Sequence, residues 1–434
     1  MDAATLSITV AISLVLLLLA ANVYIGPALG LAAILGTLVL TGELNRGLSF
    51  LLYTAVSVTS NYGYLCIPLF VLMGLFAAAS GIAGDLFEAN YRIVGRIPGG
   101  LAITTVIACA GLAAITGTTA GAVAAMIHIA LPQMKKYNYD ERLSVGVISV
   151  AGTLAIMIPP SVTFIVYAIF AEQSIGKLLI AGILPGLFLA FLYSALILIR
   201  CLANPRLGPA GERFTLHQKV AGLKGVVPFL LLLATVFVGI IVGIWTPVES
   251  AAVAVVIVFA MALLRRRITR SVVLTSISQT VVTSGSIMTL VIGSLIFSKY
   301  ITLTRFNEKL TNAVIGLDLS PLMLFTLLIV FYVILGMFLE PTSIIALTIP
   351  LLMPVVKAVG WNPIWFGVII VNLMEVAAVT PPVGLVLYTV KASAPEIPLE
   401  TIAWGAFPFW LCNIVACYVF YTFPALALFL PSFM

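Results

Sequence analysis

Long apolar runs separated by short polar loops follow one another from Leu6 to Met434. The runs are continuous and do not alternate, which excludes the strands of an outer-membrane barrel, where polar and apolar residues alternate over about ten positions. A bilayer core about 30 Å thick is crossed by about 20 apolar residues in a helix. Runs near that length predict helices near 5–21, 27–41, 50–62, 63–82, 101–115, 118–132, 143–171, 177–199, 225–245, 247–264, 272–297, 320–337, 343–358, 363–393 and 399–430. Several are too short to span alone, and others are long and interrupted. The 50–62 piece, rich in Thr and Ser, is expected at the interface. The first run has no basic leader and passes into a second near Tyr24–Thr41, so a retained helix is expected there and not a cleaved signal.

Composition agrees with a chain buried in lipid. It is 62% hydrophobic and only 8% charged, whereas a soluble domain carries about a quarter charged residues. The net charge of +6 sits in loops and sets orientation, so it is no argument for nucleic acid. The clusters are Arg92/Arg96, Lys135/Lys136/Arg142, the 200–224 stretch and Arg265–Arg270. All four face the cytoplasm only if 101–132 enters and leaves on one side, as a re-entrant hairpin between Gly100 and Pro132. Five scattered cysteines read as packing thiols, and two histidines are too few for a histidine-rich metal centre. His128 is expected as a satisfied core residue. Glu172, Lys177 and Lys391 are expected to snorkel to the interface. Trp361, Trp365, Trp404 and Trp410 are expected as interface anchors and packing. Glu249, after the turn Trp245-Thr246-Pro247, is expected to stabilise a helix start.

The chain repeats itself at a constant offset. Leu131-Pro132-Gln133-Met134-Lys135 returns as Met353-Pro354-Val355-Val356-Lys357, and Ile158-Pro159-Pro160-Ser161 returns as Thr380-Pro381-Pro382-Val383. Ile175–Ala181 aligns with Ile397–Ala403 at the same offset. The basic loop at 265–270 sends 272–297 outward, so the second hairpin, about 321–357, enters from the opposite side and the halves are inverted. Inverted repeats with discontinuous helices are the recurring plan of secondary transporters.

The chemistry is expected where the helices break. Proline lacks an N–H and clashes with the preceding turn, so Pro159-Pro160 and Pro381-Pro382 each free several carbonyls. Unsatisfied backbone in hydrocarbon costs several kcal/mol per group, and such a break persists where protein, water or an ion fills it. The expected first tip, Thr116-Gly117-Thr118-Thr119, offers hydroxyls that suit a hard cation and a helix start that suits a carboxylate. The expected second tip carries Glu340, Pro341, Thr342 and Ser343. Glu340 and Glu375, ionisable groups in nearly chargeless stretches, are functional candidates for a cation or a proton. Asn372 can offer a carbonyl ligand. No phosphate loop, no His-Glu-x-x-His and no nucleophile–base pair occurs, so neither an enzyme nor an ATP-driven pump is expected.

An ordered set of motifs then resembles a known family. Ile67-Pro68-Leu69-Phe70 precedes Gly74, and Leu131-Pro132 with Met134 precedes Tyr139-Asp140. Gly152-Thr153-Leu154, Ile158-Pro159-Pro160-Ser161, Ser174-Ile175-Gly176 and Ala181-Gly182 follow. Then come Thr246-Pro247 with Glu249, Ala251 and Ala252, Leu335-Gly336-Met337, Asn372-Leu373, and Thr380-Pro381-Pro382-Val383-Gly384. Over nearly its whole length the chain is similar to the large membrane (permease) subunit of tripartite ATP-independent periplasmic transporters. The resemblance implies an all-α polytopic membrane protein with inverted structural repeats, two re-entrant helical hairpins and discontinuous helices, working as an elevator-type transporter. It implies sodium-driven import of a small organic anion, a carboxylate, across the bacterial inner membrane. Sodium ions would be the coupling ions, with no cofactor. The partners would be a small four-helix membrane subunit and a periplasmic solute-binding protein. The alternative is a proton-coupled or stand-alone organic-anion transporter without a periplasmic receptor.

The expected substrate contacts are Thr116, Gly117, Thr118, Thr119, Pro160, Ser161 and Pro382. The expected sodium ligands are Thr118, Thr119, Gly152, Glu340, Thr342, Ser343, Asn372 and Thr380. Expected regions are N-terminal scaffold helices at 1–62, a first inverted repeat at 63–200 with its hairpin near 101–132, a cytoplasmic loop with linking scaffold helices at 201–271, and a second repeat at 272–434 with its hairpin near 321–357. Two departures from the family bear on the ion sites. The first tip is Thr-Gly-Thr-Thr where Ser-Gly-Ser-Ser with a nearby Asp is common, and the second begins with Glu340 where Asp is common.

Overall fold

A computed structural model describes residues 3–117 and 119–434, with the side chains of Ala3 and Thr116 left aside. Every element among them is helical. The chain opens with α1 (Ala3–Ala20), α2 (Ile25–Thr41) and α3 (Leu44–Thr59). A 3-10 turn, Tyr62–Leu65, leads into α4 (Cys66–Ala79) and α5 (Ile82–Val94). The first hairpin pairs α6 (Gly100–Thr116) with α7 (Thr119–Lys136), and a broken helix follows, α8 (Glu141–Met157) and α9 (Val162–Ala171). Next are α10 (Ile175–Ala181) and α11 (Ile183–Ala203), then the linking helices α12 (Leu216–Leu223), α13 (Val227–Ile241) and α14 (Pro247–Leu264). The second half runs through α15 (Arg270–Leu303) and α16 (Phe306–Gly316) to a second hairpin, α17 (Pro321–Gly336) and α18 (Pro341–Ala358). Its broken helix is α19 (Pro363–Ala378) and α20 (Leu385–Ser393), followed by α21 (Leu399–Thr422), α22 (Ala425–Leu428) and a 3-10 turn, Leu430–Phe433.

Six helices among the described residues are long and apolar enough to cross a membrane, or eight if each bent pair is one span. The protein is a multi-pass membrane protein. Its exposed face carries large apolar side chains such as Leu52, Leu187, Phe191 and Val256, as a lipid-facing surface requires.

The constant offset between the halves holds at the level of elements. α7 and α18 begin at Thr119 and Pro341, and α8 and α19 begin at Glu141 and Pro363. The same local chemistry fixes the latter pair. Asp140 accepts from the Leu143 N–H and Asn362 from the Ile364 N–H, each at 2.8 Å, so each satisfies a free N–H at a helix start. Both proline pairs contain a cis peptide.

The two broken helices form the centre. Residues 143–157 of α8 and 365–378 of α19 are buried without exception. They pack on each other and on α21. Gly146 meets Gly405 there so closely that a Cβ on Gly146 would lie 2.1 Å from the Gly405 carbonyl oxygen. The hairpins cross over: α7 packs on α20 of the second half, and α18 on α9 of the first.

Several expectations are revised. The 50–62 interface piece is the later part of α3, which starts at Leu44 and ends at Thr59. The 272–297 run is a 34-residue helix, α15. Three helices, α5, α12 and α16, fall outside the expected runs, because charges such as Asp85, Glu88 and Arg92 interrupt their apolar positions. His128 is exposed on α7 and not packed in the core. Glu249 behaves as expected. It forms a capping box with Thr246, accepting from the Thr246 N–H at 2.8 Å.

The polar stretch after α11 is tied down. The Gly99 N–H donates to Gly208 O at 2.8 Å, Asp140 N–H to Leu207 O at 3.0 Å, and Gly211 N–H to Gly95 O at 2.8 Å. The segment therefore straps together the two ends of the first hairpin.

Candidate functional site

The first hairpin tip sits on the first break. α6 ends at Thr116, and Gly117 takes a left-handed φ of +57° that L side chains rarely adopt. A Cβ there would lie 2.8 Å from the Pro160 carbonyl oxygen. The tip backbone and one freed carbonyl of the break thus meet directly, so two of the expected contacts, Gly117 and Pro160, are brought together. Thr119 opens α7 beside them. Thr118 lies outside the described residues. α8 and α9 meet at 42° across the break. Ser161 restarts the chain, accepting from the Phe164 N–H at 3.4 Å and donating to Ile156 O. Residues 158–161 are all buried.

The second break is built differently. Thr380 Oγ1 donates to Val376 O at 2.6 Å and accepts from Trp410 Nε1 at 3.0 Å. Pro381, Pro382 and Val383 are exposed. The two halves therefore share a pattern but differ in cover: the first break is enclosed and the second is open.

At the second tip, Glu340 caps α18. Its carboxylate accepts from Thr342 Oγ1 at 2.6 Å, and from the Ser343 N–H and Ser343 Oγ at 3.2 Å each. Glu340, Thr342 and Ser343 form one local cluster with the carboxylate exposed. Glu340→Ala should cost the hairpin about 1 kcal/mol, the usual loss for a helix cap. Faster amide exchange confined to the first turn of α18 would register it, and unchanged exchange would remove the capping role.

The other expected ligands lie deeper. Gly152 is a packing position, since a Cβ there would be 2.2 Å from Val123 Cγ2 of the hairpin's return arm. Asn372 makes its hydrogen bonds to α21. Its Nδ2 donates to Asn413 O and Cys417 Sγ, each at 3.0 Å. Four further polar residues were not expected as part of the site from sequence: Tyr193 and Asn413, which carried no expectation, Trp410, expected only as an anchor or packing residue, and Thr153, named only within a motif. Of these only Thr153 carried a usable signal, occupying in the first half the position that Glu375 occupies in the second.

Outside the membrane-spanning helices, Lys135 donates to Glu396 at 2.9 Å and holds that carboxyl below the usual carboxylate range. Tyr137 donates to Glu212 at 2.6 Å, and the carboxylate raises the phenol above its ordinary value. These contacts fasten the return arm of the first hairpin to two different loops.

Residues 12–426 match the family described as tripartite ATP-independent periplasmic transporter, DctM component. A C4-dicarboxylate TRAP transporter large permease protein from Pseudomonas aeruginosa is 34% identical over 412 residues, covering 94% of each chain. Its namesake from Rhodobacter capsulatus is 31% identical, covering 85% of this chain and 87% of its own. Among solved structures, the Alcanivorax borkumensis YdaH transporter superposes with a TM-score of 0.59 at 16% identity, over 87% of this chain and 89% of that one. At that identity the likeness bears on fold alone.

Proposed function

Because the chain belongs to the tripartite ATP-independent periplasmic transporter family as its DctM component, we propose that it imports a C4-dicarboxylate or a similar small organic anion across the bacterial inner membrane, driven by a sodium gradient. The observation that carries this reading is the seating of the Gly117 tip on the Pro160 carbonyl. Helix starts and freed carbonyls meet there. The former suit a carboxylate and the latter a hard cation. Gly117, Thr118, Thr119 and Pro160 are the proposed first-half contacts. Thr342, Ser343 and Thr380 are their second-half counterparts, with the exposed Glu340 carboxylate able to offset cation charge.

A small membrane subunit and a periplasmic binding protein complete the transporter in this reading, and the transport core moves elevator-fashion against a scaffold. The C4-dicarboxylate class rests on the names of two relatives.

The test is solute uptake into vesicles holding this chain and its small subunit, with the binding protein added outside. Uptake of a labelled C4-dicarboxylate is expected to collapse when the inward sodium gradient is abolished. Undiminished uptake under a proton gradient alone would remove sodium as the driving ion.

A further inference from the structure

The transport reading leaves the outward face of α12 (Leu216–Leu223) unassigned. Its 8 residues are too few to hold a helix in water alone, and two sets of contacts fix it. Thr215 and Gln218 form a capping box, with the Thr215 N–H donating to Gln218 Oε1 at 2.9 Å. From α5, Arg92 Nη1 donates to Gln218 O at 3.3 Å. A Cβ on Gly222 would lie 3.0 Å from Arg92 Cδ and 3.6 Å from Ala89 Cα. Gln218 and Gly222 therefore mark the face that rests on α5.

At about 3.6 residues per turn, Leu216, Val220 and Leu223 line up on the opposite face. They are 81%, 58% and 43% exposed, respectively. Three large apolar side chains in one stripe are a poor surface to present to water. Cations border the stripe. Lys219 stands on one side, and Lys224, the C-cap with helical dihedrals, stands on the other. Arg213 precedes the helix. None of these three has a carboxylate partner, since the ion pairs among the described residues use Arg46, Arg92, Lys135 and Arg265. The acids of α5 and of the stretch before α12 are already engaged: Asp85 with Arg265, Glu88 with Arg92, and Glu212 with Tyr137.

Two features say what covers the stripe. α12 meets α13 at a bend of 47°, and exposed apolar residues carry on past the bend as Val227, Leu230, Leu231 and Val238. The stripe thus runs without interruption into a lipid-facing surface. The second feature is the order of the side chains, apolar at the centre and cationic at the edges. Lysine stems lie along apolar surface while their ammonium groups reach the polar boundary. That is the pattern of a helix lying in the interface of an anionic membrane.

We propose that α12 is a membrane-surface helix that seats Leu216, Val220 and Leu223 in the bilayer and binds the headgroups of anionic phospholipids through Arg213, Lys219 and Lys224. α12 rests on α5, and the strap before it is hydrogen-bonded to Gly95, Gly99 and Asp140. The lipid contact therefore braces the base of the first hairpin. It needs no solute, sodium or partner subunit, so it stands apart from the transport reading.

A nitroxide on Val220→Cys, in the purified chain reconstituted into vesicles of phosphatidylcholine and phosphatidylglycerol, tests the seating. Wild-type chain treated alike gives the background from its own cysteines. Collisions of the label with oxygen, which concentrates in the bilayer, should exceed those with a water-soluble nickel chelate. The headgroup contact is tested with spin-labelled lipids and a variant carrying Arg213→Gln, Lys219→Gln and Lys224→Gln. Its affinity for phosphatidylglycerol should fall about fivefold for each cation removed, while that for phosphatidylcholine stays as in wild type. None of the four substituted side chains is buried, so thermal unfolding should be unchanged. A label reached by nickel in preference to oxygen, or shielded from both by protein, overturns the proposal. An unchanged phosphatidylglycerol affinity in the triple variant overturns it as well.

Discussion

Gly117→Ala should remove most solute uptake while leaving the chain folded. The substitution meets two obstacles at one atom. The left-handed backbone at φ +57° costs an L residue about 1–2 kcal/mol. The new methyl would also sit 2.8 Å from the Pro160 oxygen, closer than carbon and oxygen approach without displacement. Relief comes only by lifting the tip from the break or by shifting the break itself. Either change disturbs the proposed binding surface. Since about 1.4 kcal/mol is tenfold in an equilibrium, a loss of roughly tenfold or more is expected in vesicle uptake. Thermal unfolding should change little, because the tip is a short excursion on intact helices. Uptake near the wild-type rate would dissociate the tip from transport.

Gly146→Ala should give the largest loss of stability. Here the obstacle is backbone: the Gly405 carbonyl, 2.1 Å from the added methyl, cannot rotate away as a side chain could. α8 and α21 must separate, and α8 is buried at every position after Arg142. Overpacking of this kind costs about 1–3 kcal/mol and sometimes more. A markedly lower unfolding temperature in detergent and poor membrane yield are expected. A variant as stable as wild type would mean that these helices are not held at that distance.

Much of this arrangement could be read from the chain. Prolines and capping residues fix helix ends locally, so Pro159-Pro160 and Pro381-Pro382 marked real breaks, whereas Pro132 and Pro354 recur at the shared offset inside α7 and α18. Continuous apolar runs located the remaining long helices. The amphipathic helices α5 and α16 escaped because a run of apolar residues is the wrong measure for an element with one wet face. They are nonetheless counterparts, since α5 ends at Val94 and α16 at Gly316, the same offset that relates the proline pairs. Asp85 on α5 reaches Arg265 at 2.5 Å, a pairing that no local pattern announces.

The site was legible only in part. Gly117 and Pro160 meet because a turn glycine and a freed carbonyl each carry a local mark. Asn372, marked by residue type as a carbonyl ligand, engages α21 through Nδ2, while its Oδ1 has no hydrogen-bond partner among the described residues. Tyr193 and Asn413 are single polar positions inside apolar helices. Their importance comes from partners far away in sequence, and only the folded chain supplies those. Nor did the repeat disclose the unequal cover of its two breaks, since identical marks are compatible with either arrangement.

The segment from Leu207 to Gly211 has a practical consequence. Its composition makes it look like the natural place to splice in an affinity tag, a fluorescent domain or a protease site. Its backbone hydrogen bonds with Gly95, Gly99 and Asp140 mean that such an insertion would untie a structural clasp, so a tagged transporter that fails to work would report on the choice of splice and not on the chemistry of the carrier.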